Sequence, residues 1–194
     1  MIAKLTNTLK DSALQYLGYG FSVIPLQNHS KIPALTTWEE FKWRKPRNSE
    51  IESWWSKYSQ KNLAIVTGRL SGVIVIDIDY PIQLEKAIKL GLPETWCVKT
   101  YRGRQYYFQH PPFDIGKLRI GVHDIEVLGE GAYAVAPPSM HPNGKQYKWI
   151  VSPHDAELAS IPDWIEDQIK DKLLIDDLRR EKAKPLIEVC YGTN

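Results

Sequence analysis

GVIVIDIDY, residues 72–80, is the most apolar strand-like run of the chain, and it ends on two carboxylates, Asp77 and Asp79. Successive side chains of a β-strand point to opposite faces, so a spacing of two puts both carboxylates on one face. Val73 and Val75 share that face deeper in, while Ile74, Ile76 and Ile78 line the other. Two like charges at the end of a buried strand repel each other and lose hydration, which is costly unless a cation joins them. Hard oxygen ligands of this kind suit magnesium or manganese. Two such ions roughly 3.5–4 Å apart would clamp the attacking and leaving oxygens of an in-line phosphoryl displacement.

Taken alone, the D-x-D pair has other readings. It can be a solvated strand end, and HAD-type phosphatases and many glycosyltransferases carry it too. A HAD nucleophile usually sits near the start of its chain, with Thr or Val after the second Asp. Here Tyr80-Pro81 follow, and a whole lobe precedes. A second acidic pair, Asp124 and Glu126 in HDIEVLG, alternates in the same way and can face the same site from a neighbouring strand.

Outward from the carboxylate strand, the N-terminal side reads as a small αβ unit. Leu5, Leu9, Ala13, Tyr16 and Leu17 recur at helical spacing until Gly18 and Gly20. FSVIPL (21–26) is a short strand, and 27–47 has no clear period and reads as a working loop. Ser49 and Glu52 form a capping-box pattern for a helix carrying Ile51, Trp54, Trp55 and Tyr58. Residues 63–67 are a strand ending at Gly68, and Thr67-Gly68 with Ser71-Gly72 bracket a turn whose amides can approach a phosphate.

On the C-terminal side, a helix near 82–90 stops at Gly91. TWCVKTY, RQYYFQH, DIEVLG, AYAVA and QYKWIV follow as short β-rich runs with brief turns, which implies antiparallel pairing. Ile161, Trp164, Ile165, Ile169 and Leu173 restore a helical period before the mixed charge of DDLRREKAK. The fold class expected is α+β, a small N-terminal αβ lobe packed on a mostly antiparallel sheet. Residues 1–165 read as the main domain and 166–194 as a helical, charged appendage or linker.

The 194 residues carry a formal net charge of +2, so any nucleic-acid binding must come from local patches. Lys42, Arg44, Lys45 and Arg47 form one such basic cluster, with a solvated loop as the alternative. Cys97 and Cys190, the two cysteines, lack zinc-site spacing and read as free thiols, fitting a reducing cytoplasmic compartment. His29, His110, His123 and His154 are scattered without ligand spacing and read as surface residues. No signal-peptide stretch opens the chain, and no window approaches the roughly 18 unbroken apolar residues of a membrane span, so no membrane partner is expected.

Six runs occur in a telling order: YLGYGFSVIPL; KIPAL with Trp38; IESWW; NLAIVTGRLSGVIVIDID; VKTYRGRQYYF; and EVLGEGAYAVAPPSMHPNGKQYKW. Over about residues 10–150 the chain resembles the bifunctional primase/polymerase N-terminal domain of the archaeo-eukaryotic primase superfamily. The resemblance implies an RRM-like catalytic sheet and template-directed nucleotidyl transfer, as DNA primase or DNA polymerase. It implies Asp77, Asp79 and Glu126 as catalytic metal ligands for two Mg²⁺ or Mn²⁺ ions, with Asp124 as the alternative third ligand. It also implies NTP or dNTP and a DNA template and primer as partners, a replication role in a plasmid, phage or similar element, and a fused or associated helicase.

Candidate nucleotide contacts are Lys31 in KIPAL, Arg102 and Arg104 in the RGR turn, Gln105, Ser139 and His141. Two positions depart from the family pattern. Gln105 stands where the family has a phosphate-contacting histidine, and Leu128 where it has an arginine. Glutamine donates a hydrogen bond but cannot carry an imidazolium charge. Either Arg102 or Arg104 supplies the missing charge, or the chain is a nucleotide-binding module with weakened catalysis. Trp54, Trp55 and Trp164 read as core, whereas an exposed member of Tyr101, Tyr106 and Tyr107 would stack on a base.

Overall fold

Thr8 accepts a hydrogen bond from the Asp11 amide while Asp11 accepts one from the Thr8 amide, a reciprocal cap that starts α1 (Leu9–Gly18). The computed structural model describes residues 8–56, 61–121 and 125–183. Tyr58, His123, Asp124 and Cys190 lie outside the described residues. After α1 come β1 (Ser22–Leu26), α2 (Asn48–Ser56), β2 (Asn62–Val66), β3 (Val73–Ile78) and α3 (Pro81–Lys89). They are followed by β4 (Cys97–Lys99), β5 (Arg104–Gln109), β6 (Leu118–Ile120), β7 (Ile125–Leu128), β8 (Tyr133–Val135), β9 (Lys148–Val151) and α4 (Asp163–Lys182).

The strands form two antiparallel sheets, a three-stranded one ordered β1-β2-β8 and a six-stranded one ordered β6-β7-β3-β5-β4-β9. The architecture is therefore α+β. The small lobe is not purely N-terminal: AYAVA returns from late in the chain, and Tyr133, Ala134 and Val135 pair with Val66, Ile65 and Ala64. A short 3-10 turn, Glu39–Lys42, sits inside the long loop after β1. Helix α2 begins at Asn48, one residue ahead of the expected Ser49 cap.

The alternation in β3 divides two cores. Val73 and Val75 pack with Val98, Tyr107 and Leu128 against the small sheet and α1. Ile74, Ile76 and Ile78 pack on the other face with Tyr106, Phe108, Val127 and, from α4, Ile165 and Ile169. Ile169 is fully buried, so α4 runs across the expected boundary at 165/166 and its first turns belong to the core. Trp55 is buried and Trp54 packs edge-on against Phe41 at 5.2 Å, as core residues. The His110 side chain is also buried, its Nε2 3.1 Å from Glu130 Oε1, against the expectation of a surface histidine. Among the described residues no helix is long and apolar enough to cross a membrane.

Candidate functional site

β3 is flanked by β7 and β5, and at its end Asp77 stands directly opposite Glu126 on one side and Gln105 on the other. Directly paired residues share a face, so the sheet lines up Glu126, Asp77 and Gln105 in one row. Asp79 lies two residues further along the chain, just past the strand. The Gln105 amide Nε2 approaches Asp77 Oδ2 at 3.4 Å, a long hydrogen bond. Asp77 Oδ1 and Gln105 Oε1 are buried without a partner among the described residues. Burial, and then the charge of Asp79, push the Asp77 carboxyl up to about 6; the Gln105 contact and Lys31 pull the other way.

Two pockets open on this row. One, of about 210 Å³, is lined by Lys31, Asp77, Asp79, Thr100, Tyr101, Arg102, Gln105, His141 and Tyr147. The other, of about 260 Å³, shares Lys31, Asp77 and Gln105 and adds Lys117, Glu126, Leu128 and Tyr133. The first therefore sets two carboxylates against Lys31 and Arg102, a distribution suited to an anionic ligand carrying its own cation. His141 is held below the usual imidazole range by burial and by the positive charges of Lys31 and Arg102.

The loops bearing these cations are tied down. Buried Asn62 donates to Ser30 O at 3.0 Å and Met140 O at 2.7 Å, joining the loop of Lys31 to that of His141. The Tyr133 hydroxyl donates to Lys31 O at 3.0 Å. The RGR turn rides on the end of β3 because Gly103 has no side chain: a Cβ there would stand 1.8 Å from Ile78 O. Thr100 Oγ1 accepts from the Gly103 amide at 3.0 Å and closes that turn.

Not every expected site residue reaches the pockets. Arg104 pairs with Ile78 and thus lies on the opposite face, its guanidinium 3.3 Å from the Tyr106 hydroxyl. Ser139 is fully buried and exchanges hydrogen bonds with Leu63, a staple beneath the His141 loop. In the basic cluster, Lys42 bonds Glu39, and Arg44 is clamped by Glu40 and by Glu50 at 2.8 Å. Arg47 reaches Glu50 at 3.4 Å, while Lys45 is exposed. The 67–72 turn lies at the start of β3, about 13 Å of strand away from Asp77, and Glu130 already accepts from its Arg69 amide at 2.7 Å.

Two cations escape a reading of the sequence alone. Lys117 and Arg119 approach Glu126 at 3.1 and 3.5 Å, and Arg119 pairs directly with it across β6 and β7. Their spacing of two opposite an acidic strand position was the available signal. Tyr147, buried and lining the first pocket, carries no such signal within QYKWIV.

The residues present bear on whether a cation belongs here. Asp77 combines an orphaned buried oxygen with a proton affinity raised by burial and by Asp79, and both features fit a cation seated against the pair. Among the described residues, however, no three acidic, histidine or cysteine side chains are gathered into one ligand set. The Glu126 carboxylate is engaged by Lys117 and Arg119.

No curated protein matches the chain. The family model described as bifunctional DNA primase/polymerase, N-terminal, matches residues 13–164, a span that holds both sheets and every residue lining the two pockets, and the chain belongs to that family.

Proposed function

We propose that the chain performs template-directed nucleotidyl transfer, as a DNA primase or DNA polymerase, for replication of a plasmid, phage or similar element. The observation that carries this reading is one pocket lined both by the carboxylates Asp77 and Asp79 and by the cations Lys31 and Arg102. Asp77, Asp79 and Glu126 would hold two Mg²⁺ or Mn²⁺ ions, which supply activation of the attacking hydroxyl and neutralisation of phosphate charge. Glu126 would join that set on giving up its contacts with Lys117 and Arg119. Lys31 and Arg102 bind the triphosphate, and His141, kept neutral, donates or accepts a hydrogen bond without adding charge. Lys117 stands beside Leu128 in the second pocket and supplies a cation that Leu128 cannot.

The strand order β7-β3-β5-β4, with α3 between β3 and β4, supports an RRM-like reading of the sheet centre. The partners proposed are primed template DNA and NTP or dNTP, with a fused or associated helicase in the same replication machinery.

A second reading, a nucleotide-binding module without catalysis, draws on one observation: Gln105 faces Asp77 where an ionisable histidine would stand. Primer extension with labelled nucleotide and Mg²⁺ or Mn²⁺ separates the readings. A lengthened primer with stoichiometric pyrophosphate supports transfer. Release of inorganic phosphate instead indicates a hydrolase, and nucleotide binding without product indicates the binding module.

A further inference from the structure

At the free edge of the six-stranded sheet, Lys99 and Lys148 are directly paired across β4 and β9, and Lys99 pairs with Arg104 across β4 and β5. Three cations thus occupy one row on neighbouring strands, on the sheet face away from Asp77 and Gln105 but at the strand ends, where Thr100 and Tyr101 lead round to the carboxylate pocket. Like charges placed directly opposite each other destabilise a sheet. None of Lys99, Lys145 and Lys148 forms an ion pair with a described carboxylate, in contrast to Arg44 and Lys42, whose charges are answered by glutamates.

Lys99, Lys145 and Lys148 line a groove of about 530 Å³ together with Thr100, Tyr101, Met140, Gly144 and Gln146. Thr100 and Tyr101 also line the carboxylate pocket, so the groove runs into it. At the junction Tyr101 is 44% exposed and its ring stacks on His141, centroids 5.1 Å apart and 16° from parallel. His141 and Lys145 belong to one tight hairpin, closed by His141 N–H to Lys145 O at 2.7 Å and Gly144 N–H to His141 O at 2.8 Å.

We infer that this groove is the path of a single nucleic-acid strand, held by its phosphates on Lys99, Lys145 and Lys148 and delivered to the carboxylate pocket past a stacking platform at Tyr101. The inference rests on the nucleotidyl-transfer reading for what the strand does on arrival. Its physical case is separate: an uncompensated row of cations calls for a polyanion, and an exposed ring aligned with a second ring at the mouth suits a base. A free triphosphate would answer the charge but would leave the groove, which extends beyond the carboxylate pocket, largely empty.

The test reads strand binding without metal or nucleotide: fluorescence anisotropy of a labelled single-stranded oligonucleotide on the full chain, titrated with salt. The triple variant Lys99→Gln, Lys145→Gln, Lys148→Gln should flatten the log–log salt slope by about 2, since each single-strand phosphate contact contributes about 0.7. Tyr101→Ala should weaken binding about tenfold with the salt slope unchanged, because stacking carries no counterion release. Melting temperatures should stay level or rise in the triple variant, which excludes unfolding as the cause. An unchanged slope in the triple variant overturns the path. Loss of ATP binding with oligonucleotide binding intact also overturns it and makes the groove a triphosphate site. If strand binding follows the groove while primers are never extended, the path stands and the catalytic reading falls.

Discussion

At Asp77 the burial that makes the carboxylate a ligand candidate also makes it a cost to the empty protein. Its carboxyl is pushed up to about 6, against an ordinary value of 3.8. The folded state therefore holds this proton more tightly than the unfolded chain does. The stabilising contribution is complete below about pH 4 and is lost as pH rises through about 6, a change of roughly 3 kcal/mol across two units. Thermal melts of the metal-free protein should show this fall, and Asp77→Asn should remove it, melting above the parent at about pH 8. Adding Mn²⁺ should raise the parent's melting temperature there and leave the variant's unchanged. A parent whose stability did not fall over this interval would not have a strained Asp77.

Gln105 poses the other question at this scale. Arg102 shares its pocket whereas Arg104 lies on the opposite face, which favours Arg102 of the two candidates for the missing charge. Arg102→Ala should weaken nucleotide binding about tenfold or more, the worth of a charge-assisted hydrogen bond of about 1.5–3 kcal/mol. Arg104→Ala should change it less than about twofold, since a cation on the opposite sheet face makes no contact with the ligand. Gln105→His should tighten nucleotide binding below about pH 6.5, where the imidazole is charged. Calorimetric titration of the three variants with nucleotide checks the order, and an Arg104→Ala loss equal to that of Arg102→Ala would reverse the assignment.

Among the elements, β3 was the most legible, because a period of two in a run of β-branched residues determines both which side chains enter each core and which face carries Asp77. β8 was not. AYAVA reads like its neighbours, and its pairing with β2 is a contact between distant segments that no local period encodes. The same limit hid the opposition of Lys99 and Lys148. Helix α4 carried its apolar period openly, but only the packing of Ile165 and Ile169 on the sheet shows that its first turns are core. The hairpin between β4 and β5 was recognisable as a turn from its glycine, while the reason for that glycine, contact with the Ile78 carbonyl, required the fold. Gly103→Ala should lift the turn from β3, lowering stability by about 1–3 kcal/mol, the usual cost of forcing extra volume into a packed contact. It should also weaken nucleotide binding by carrying Arg102 away from Asp79. A variant with parental melting temperature and nucleotide affinity would show that the turn does not depend on this contact.

For the whole molecule, charge is distributed differently from its distribution along the chain. The basic run at 42–47 looks like a nucleic-acid site in sequence, yet Glu39, Glu40 and Glu50 answer three of its four cations, and Glu50 is pulled down to about 2 by Arg44. Neutralising Lys42, Arg44, Lys45 and Arg47 together should lower the melting temperature, yet change oligonucleotide affinity less than about twofold, as expected where three of the four cations are already paired. A large, salt-dependent loss of affinity in a variant that still melts like the parent would return the template to this face.

The proposed nucleotidyl transfer depends on the Asp77 and Asp79 pair, and the rate of primer extension reads that dependence. Extension with Mg²⁺ or Mn²⁺ should be measured for the parent, Asp77→Asn and Asp79→Asn, with fold checked by melting and nucleotide affinity by titration. The parent should extend the primer, and either variant should lose at least about a thousandfold, roughly 4 kcal/mol of transition-state stabilisation, while both variants remain folded. Extension within about tenfold of the parent in either folded variant would contradict that dependence.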